Sequence, residues 1–175
     1  KESYAGGSVE WGTEEAWERV LAVLVDVLET DALAGLWAPA RPEDEFLMLF
    51  VRAAFSCLET PAGCRARAAR RCAAVVLGTL VARFGQAANV VTTAFRLLRK
   101  HEHAPAPLAD VLHVVATEFG AAHIVGRTVR EIARLDSADL AREGTLARNA
   151  AALLAELTER APRLVLPAVP VLLPH

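Results

Sequence analysis

Along most of this chain apolar residues recur in helical steps, in runs of about 15–20 residues separated by breaks of only a few, and no other feature constrains the fold as much. In the run from Thr145, the residues Leu146, Ala150, Leu153, Leu154, Leu157 and Ala161 stand at i, i+4, i+7, i+8, i+11 and i+15, which is one face of one helix. Such a face needs a neighbour. Similar stripes precede it back to Trp17, so each helix buries its stripe against the next, as stacked helix pairs do. The pattern predicts an all-α fold, an α-solenoid of HEAT-like antiparallel helix pairs spaced at about 35–45 residues. No stretch shows the sustained period-2 alternation of a half-buried strand.

Thr13 is the expected N-cap of the first helix, with Glu14 and Glu15 in its first turn and Trp17, Val20, Leu21, Leu24, Val27 and Leu28 as its inner stripe. A short helical turn is expected over 31–37. Pro42, followed by Glu43, Asp44 and Glu45, opens a helix whose inner face reads Phe46, Leu49, Phe50, Ala53 and Cys57 and which stops before Pro61. Over 64–84 the apolar arc is Ala69, Cys72, Ala73, Val76, Leu77, Leu80 and Phe84, with Gly85 as a left-handed terminator. The next helix, 86–100, turns Val90, Val91, Ala94, Phe95, Leu97 and Leu98 inward and Thr92, Arg96 and Arg99 outward.

Residues 103–107, with two prolines, break the pattern. Leu108, Val111, Leu112, Val115 and Phe119 then mark a helix closed by Gly120, and Ile124, Val125, Val129, Ile132 and Leu135 mark another. Residues 136–144 form a connector. Pro167 and Pro170 each delete a helix donor, so the final run 163–173 is expected to be kinked or irregular.

The chain has 175 residues, 54% of them hydrophobic and 6% aromatic, enough apolar matter for a sizeable core and too much for a disordered segment. Its longest uncharged apolar stretches, 72–82 and 164–173, fall short of the roughly 18–20 residues of a membrane span. A formal net charge of −2 gives no overall attraction for nucleic acid or anionic membrane, so such a role needs local patches. Cys57, Cys64 and Cys72 lack a C-x-x-C pair or zinc spacing and lie on or beside apolar stripes, which suits inert thiols in a reducing compartment. The chain opens on Lys1 and reads as a piece of a longer protein: residues 1–12 a flexible tail or linker, residues 13–175 a helical-repeat segment.

Several short sequences add a resemblance. In order they are a Trp-led helix, Asp31-Ala-Leu-Ala-Gly-Leu-Trp37, Glu43-Asp-Glu-Phe46, Leu58-Glu-Thr-Pro61 and Leu80-Val-Ala-Arg-Phe-Gly85. Denser similarity follows in Phe95-Arg-Leu-Leu-Arg-Lys-His-Glu-His103, Ala116-Thr-Glu-Phe-Gly120, Ile124-Val-Gly-Arg-Thr-Val-Arg-Glu-Ile132, Leu153-Leu-Ala-Glu-Leu-Thr-Glu-Arg-Ala-Pro162 and Val171-Leu-Leu-Pro-His175. By their order and spacing the chain resembles the N-terminal HEAT-repeat region of the condensin subunit 1 family, the non-SMC HEAT subunits of condensin. It departs from that pattern in its proline-rich last helix and a short loop at 60–64. The resemblance implies a non-catalytic scaffold that binds the kleisin subunit, works beside the SMC subunits, helps engage DNA and serves mitotic chromosome condensation. It also implies a place in the nucleus and on chromosomes, with time in the cytoplasm for part of the cell cycle. Without the resemblance, the helices alone also fit a generic helical-repeat adaptor of the nuclear transport or vesicle coat type.

No phosphate-cradling G-x-x-x-x-G-K-[ST] loop is present, and no enzyme, cofactor, membrane or small-molecule substrate is expected. Two arginine groups are the candidate contacts for DNA or an acidic partner. His123, Arg127, Arg130 and Arg134 recur at i, i+4, i+7 and i+11 opposite the apolar stripe of their helix, and Arg67, Arg70 and Arg71 share an arc of about 100° on theirs. The competing reading for both is an ordinary solvated helix face. His101-Glu102-His103 lacks a further ligand at metal spacing and reads as a polar helix terminus. Trp11, Trp17 and Trp37 read as packing residues, Trp37 being the best candidate for an exposed anchor.

Overall fold

The amphipathic runs become helices wherever the computed structural model describes them, which is over residues 14–30, 45–135 and 144–172. These helices are α1 (Glu14–Glu29), α2 (Glu45–Ser56), α3 (Pro61–Arg65), α4 (Arg67–Phe84), α5 (Ala87–Lys100), α6 (Pro105–Glu118), α7 (His123–Ala133), α8 (Gly144–Arg160) and α9 (Pro162–Val165). Two stretches of 3-10 helix, Cys57–Glu59 and Leu166–Leu172, continue α2 and α9. Among the described residues there is no strand. The readings made for the 1–12 tail, the Thr13 cap, the 31–37 turn, Trp11, Trp37, Pro42 and most of the 136–144 connector lie outside them.

Packing sorts the helices into two layers. α1, α4, α6 and α8 lie side by side in one, and α2, α5, α7 and the terminal 3-10 stretch follow each other in the second. Across the layers α2 meets α4, α6 meets α7 and α5 meets α8. Each stripe therefore finds a neighbour both along and across the stack, which is the helical-repeat solenoid the periodicity requires.

The turns follow from local chemistry. Gly85 takes φ 65° and lets the amide of Gln86 donate to the Leu80 carbonyl at 3.1 Å, a six-to-one closure that ends α4. Gly120 has φ 64° after α6. The expected loop at 60–64 is instead a capped helical turn: Pro61 occupies the first position of α3, and the amide of Gly63 donates to Thr60 Oγ1 at 3.1 Å. The expected break at 103–107 is present but lies earlier, over 101–104. Pro105 is the first residue of α6 and Pro107 lies in the first turn, where a helix has no internal acceptor for its amides and the missing donors cost little. The final run is irregular as its prolines demand, with one turn of α-helix passing into 3-10 geometry that contains Pro170.

The phase of α2 differs from its expected one. Leu47, Phe50, Val51, Ala54 and Phe55 are buried, whereas Phe46 and Leu49, assigned to the inner face, are 51% and 54% exposed. Residues 46–51 are continuously apolar, so spacing alone cannot set the rotation of this helix; packing against α4 and α5 does.

Two buried positions lock neighbouring helices. Midway along α4, a Cβ on Gly78 would lie 2.3 Å from the Phe119 ring, so glycine there is what lets the end of α6 press against α4. On α8, Asn149 is buried and its Nδ2 donates to the carbonyls of Leu98 at 2.8 Å and His101 at 3.1 Å, satisfying the C-terminus of α5. Gly78→Ala should lower stability by about 1–3 kcal/mol despite alanine's better helix propensity, because the ring has to move out of a packed core. Asn149→Ala should cost about 1–3 kcal/mol by stripping the buried Leu98 carbonyl and the part-buried His101 carbonyl of their donor. Urea midpoints of the two variants and the parent test both, and an unchanged midpoint for either contradicts its assigned role.

Candidate partner-binding surface

The two arginine groups have different fates in the fold. Arg67, Arg70 and Arg71 lie in the first turns of α4, and with Asp110, His113 and Glu118 of α6 they line a groove of about 600 Å3. Arg71 donates both terminal nitrogens to the carboxylate of Glu118. That hydrogen-bonded pairing raises the Arg71 pKa and holds the Glu118 carboxyl below its ordinary range. Arg70 donates to the Cys64 carbonyl and lies 3.6 Å from Asp110 Oδ2, while Arg160 of α8 donates from Nε to Asp110 Oδ1 at 2.7 Å and pairs with Glu156. These pairs run across α4, α6 and α8. Arg70 and Arg71 are therefore partnered by carboxylates of the neighbouring helix, and of the α4 group only Arg67 is without an ion pair among the described residues.

On α7 the stripe is as the spacing predicts. Ile124, Val125, Thr128 and Val129 are buried, and His123, Arg127, Arg130 and Arg134 are all exposed on the other side. Arg134 donates to Glu131 of its own helix at 3.0 Å, but Arg127 and Arg130 have no ion-pair partner among the described residues. Sequence reasoning missed Arg163. It follows Pro162 at the start of α9 and lines one cleft with Arg130 only because the terminal segment packs on α7; no linear spacing connects the two.

The thiols are built for packing. Cys57 and Cys64 are buried and donate to the carbonyls of Ala54 at 3.1 Å and Leu58 at 3.2 Å; Cys72 is half-buried. Burial pushes the Cys57 thiol up to about 12 and raises those of Cys64 and Cys72, the reverse of what a nucleophile needs. The rings of His101 and His103 lie 5.4 Å apart, and no group of three or more His, Cys, Asp or Glu among the described residues could hold a metal ion. No described helix is long and apolar enough to cross a membrane. Cys57 and Cys64 are buried with raised thiol pKa values and Cys72 is half-buried, so at pH 8 a thiol reagent should modify Cys72 first and reach Cys57 and Cys64 only on unfolding. Rapid native-state labelling of Cys57, read by peptide mass mapping, would contradict this.

A family model described as "non-SMC mitotic condensation complex subunit 1, N-term" matches residues 1–90. The chain is 29% identical to condensin complex subunit 1 of Xenopus laevis over 167 residues, which cover 94% of this chain and 12% of the relative. The mouse protein of that name is 29% identical over 177 residues, covering 100% of this chain and 13% of the relative. The condensin-1 complex subunit CAP-D2 of Arabidopsis thaliana is 21% identical over 165 residues, covering 94% and 12%. The chain thus spans about an eighth of the length of these relatives.

Proposed function

The chain belongs to the condensin subunit 1 family, and from that premise we propose that it forms part of a non-catalytic HEAT-type scaffold of condensin, holding the kleisin subunit beside the SMC subunits. The scaffold also helps engage DNA during mitotic chromosome condensation, and so works on chromosomes in the nucleus, with a cytoplasmic phase in the cell cycle. The observation that carries the DNA part is the contrast between the two arginine groups. On α4 the charges of Arg70 and Arg71 are compensated by Asp110 and Glu118, while on α7 those of Arg127 and Arg130 are left open to solvent. Uncompensated guanidinium groups on a rigid helix suit phosphate contacts, which release counterions and tolerate any sequence. The raised thiol pKa values of the buried cysteines give a cysteine nucleophile no support.

Fluorescence anisotropy of a labelled 30-base-pair duplex with the full chain tests the DNA contact. Arg127→Ala should weaken binding about threefold to tenfold and reduce the salt slope by about one, since it removes one phosphate contact. Arg71→Ala should change little, since Glu118 already compensates that charge. A folded chain that binds neither the duplex nor the kleisin subunit in a pull-down would overturn the proposal.

A further inference from the structure

The cleft formed where the terminal 3-10 segment packs on α7 differs from the exposed arginine stripe beside it. It has a volume of about 280 Å3; its walls include Ala122, Leu164, Pro167 and Ala168, and Arg130 and Arg163 are its charged members. Both arginines are exposed, neither has an ion-pair partner among the described residues, and no Asp or Glu is among the residues lining the cleft. Two layers of the fold make this arrangement. α7 supplies Arg130 from the face opposite Val125 and Val129, and the prolines that spoil the last helix bring Leu164, Pro167 and Ala168 across from it.

We propose that this cleft is a docking site for an acidic peptide segment of a partner protein, one that carries an apolar side chain next to its carboxylate. Guanidinium groups bind carboxylates as planar, two-pronged donors, and an uncompensated pair raises the local preference for an anion. The small apolar walls decide between a peptide and a duplex. A volume near the low end of ligand-burying pockets takes in one or two side chains, and an aliphatic group seated there removes apolar surface from water. A sugar–phosphate backbone has no such group to offer, so duplex contact belongs to the open stripe at Arg127. The occupant is recognised as short extended segments are, by an anchor in a pocket and a charge at its rim.

The probe is a fluorescein-labelled octapeptide, Gly-Ser-Asp-Leu-Glu-Leu-Asp-Ser, titrated into the full chain at low salt, beside a control in which both leucines are serine. A dissociation constant of about 0.1 mM is expected, with the serine control at least fivefold weaker. Arg163→Glu and Arg130→Glu should each weaken the peptide at least tenfold, with Arg163→Ala intermediate, while Arg127→Ala, which adds no carboxylate beside Arg130, stays within twofold. Circular dichroism and the urea midpoint establish that each variant is folded; the exposure of all three side chains makes this the expected result. Equal binding of the serine control, or peptide binding indifferent to both Arg130→Glu and Arg163→Glu, overturns the proposal. So does a duplex affinity that falls with Arg163→Glu while peptide affinity does not. The DNA reading has its own variant: loss of duplex binding with Arg127→Ala and retained peptide binding leaves both standing, whereas failure of one leaves the other intact.

Discussion

The rest of the stack depends on the burial of α4 on nearly every side. Its residues Ala69, Ala73, Ala74, Val76, Leu77, Gly78, Thr79, Leu80 and Val81 are withdrawn from water by α1 and α6 in its own layer and α2 in the other. A helix can meet three neighbours at once only if some of its side chains are small. Alanine and glycine keep the interaxial distances short, while Val76, Leu77 and Leu80 fill the space between. The chain's high alanine content, which composition alone leaves without a structural meaning, has one in this helix.

Charge then fixes what apolar packing leaves free. Two helices joined by an aliphatic seam can slide by a turn at modest cost, because leucine and alanine faces are alike from turn to turn. Arg71 to Glu118, and Arg70 and Arg160 to Asp110, mark particular turns of α4, α6 and α8. Being partly exposed, each contributes little stability by itself. Their effect is on register, and Asn149 does the same work from the inside by bonding the last carbonyls of α5.

The helices, their order and most inner stripes were legible in the sequence because a period of 3.6 residues is a local property. What was not legible depended on neighbours. The rotation of α2 could not be read because residues 46–51 are apolar throughout, so only contact with α4 and α5 distinguishes Leu47 from Phe46. Pro105 and Pro107 read as a break because proline excludes helix interiors, yet the first turn accepts it. Of the candidate site, the α7 stripe followed from spacing, whereas Arg163 had no signal at all, since its place in one cleft with Arg130 depends on the irregular segment after Pro162.

The arginine spacing of α4 and α7 is equally suggestive, but spacing reports only that charges share a face, not whether the next helix answers them. In a stacked fold, faces that look outward on a single helix often look toward the neighbouring one. On α4 the answer is α6, which carries carboxylates at Asp110 and Glu118 on its facing side; α7 meets the terminal segment, which brings the cation Arg163 and no carboxylate to the cleft beside it. The same residue type thus serves cohesion in one layer and stays unpaired in the other, and the deciding variable is the charge on the adjacent element. In a helical-repeat protein, then, the search for a binding face begins with cations that the next repeat fails to neutralise.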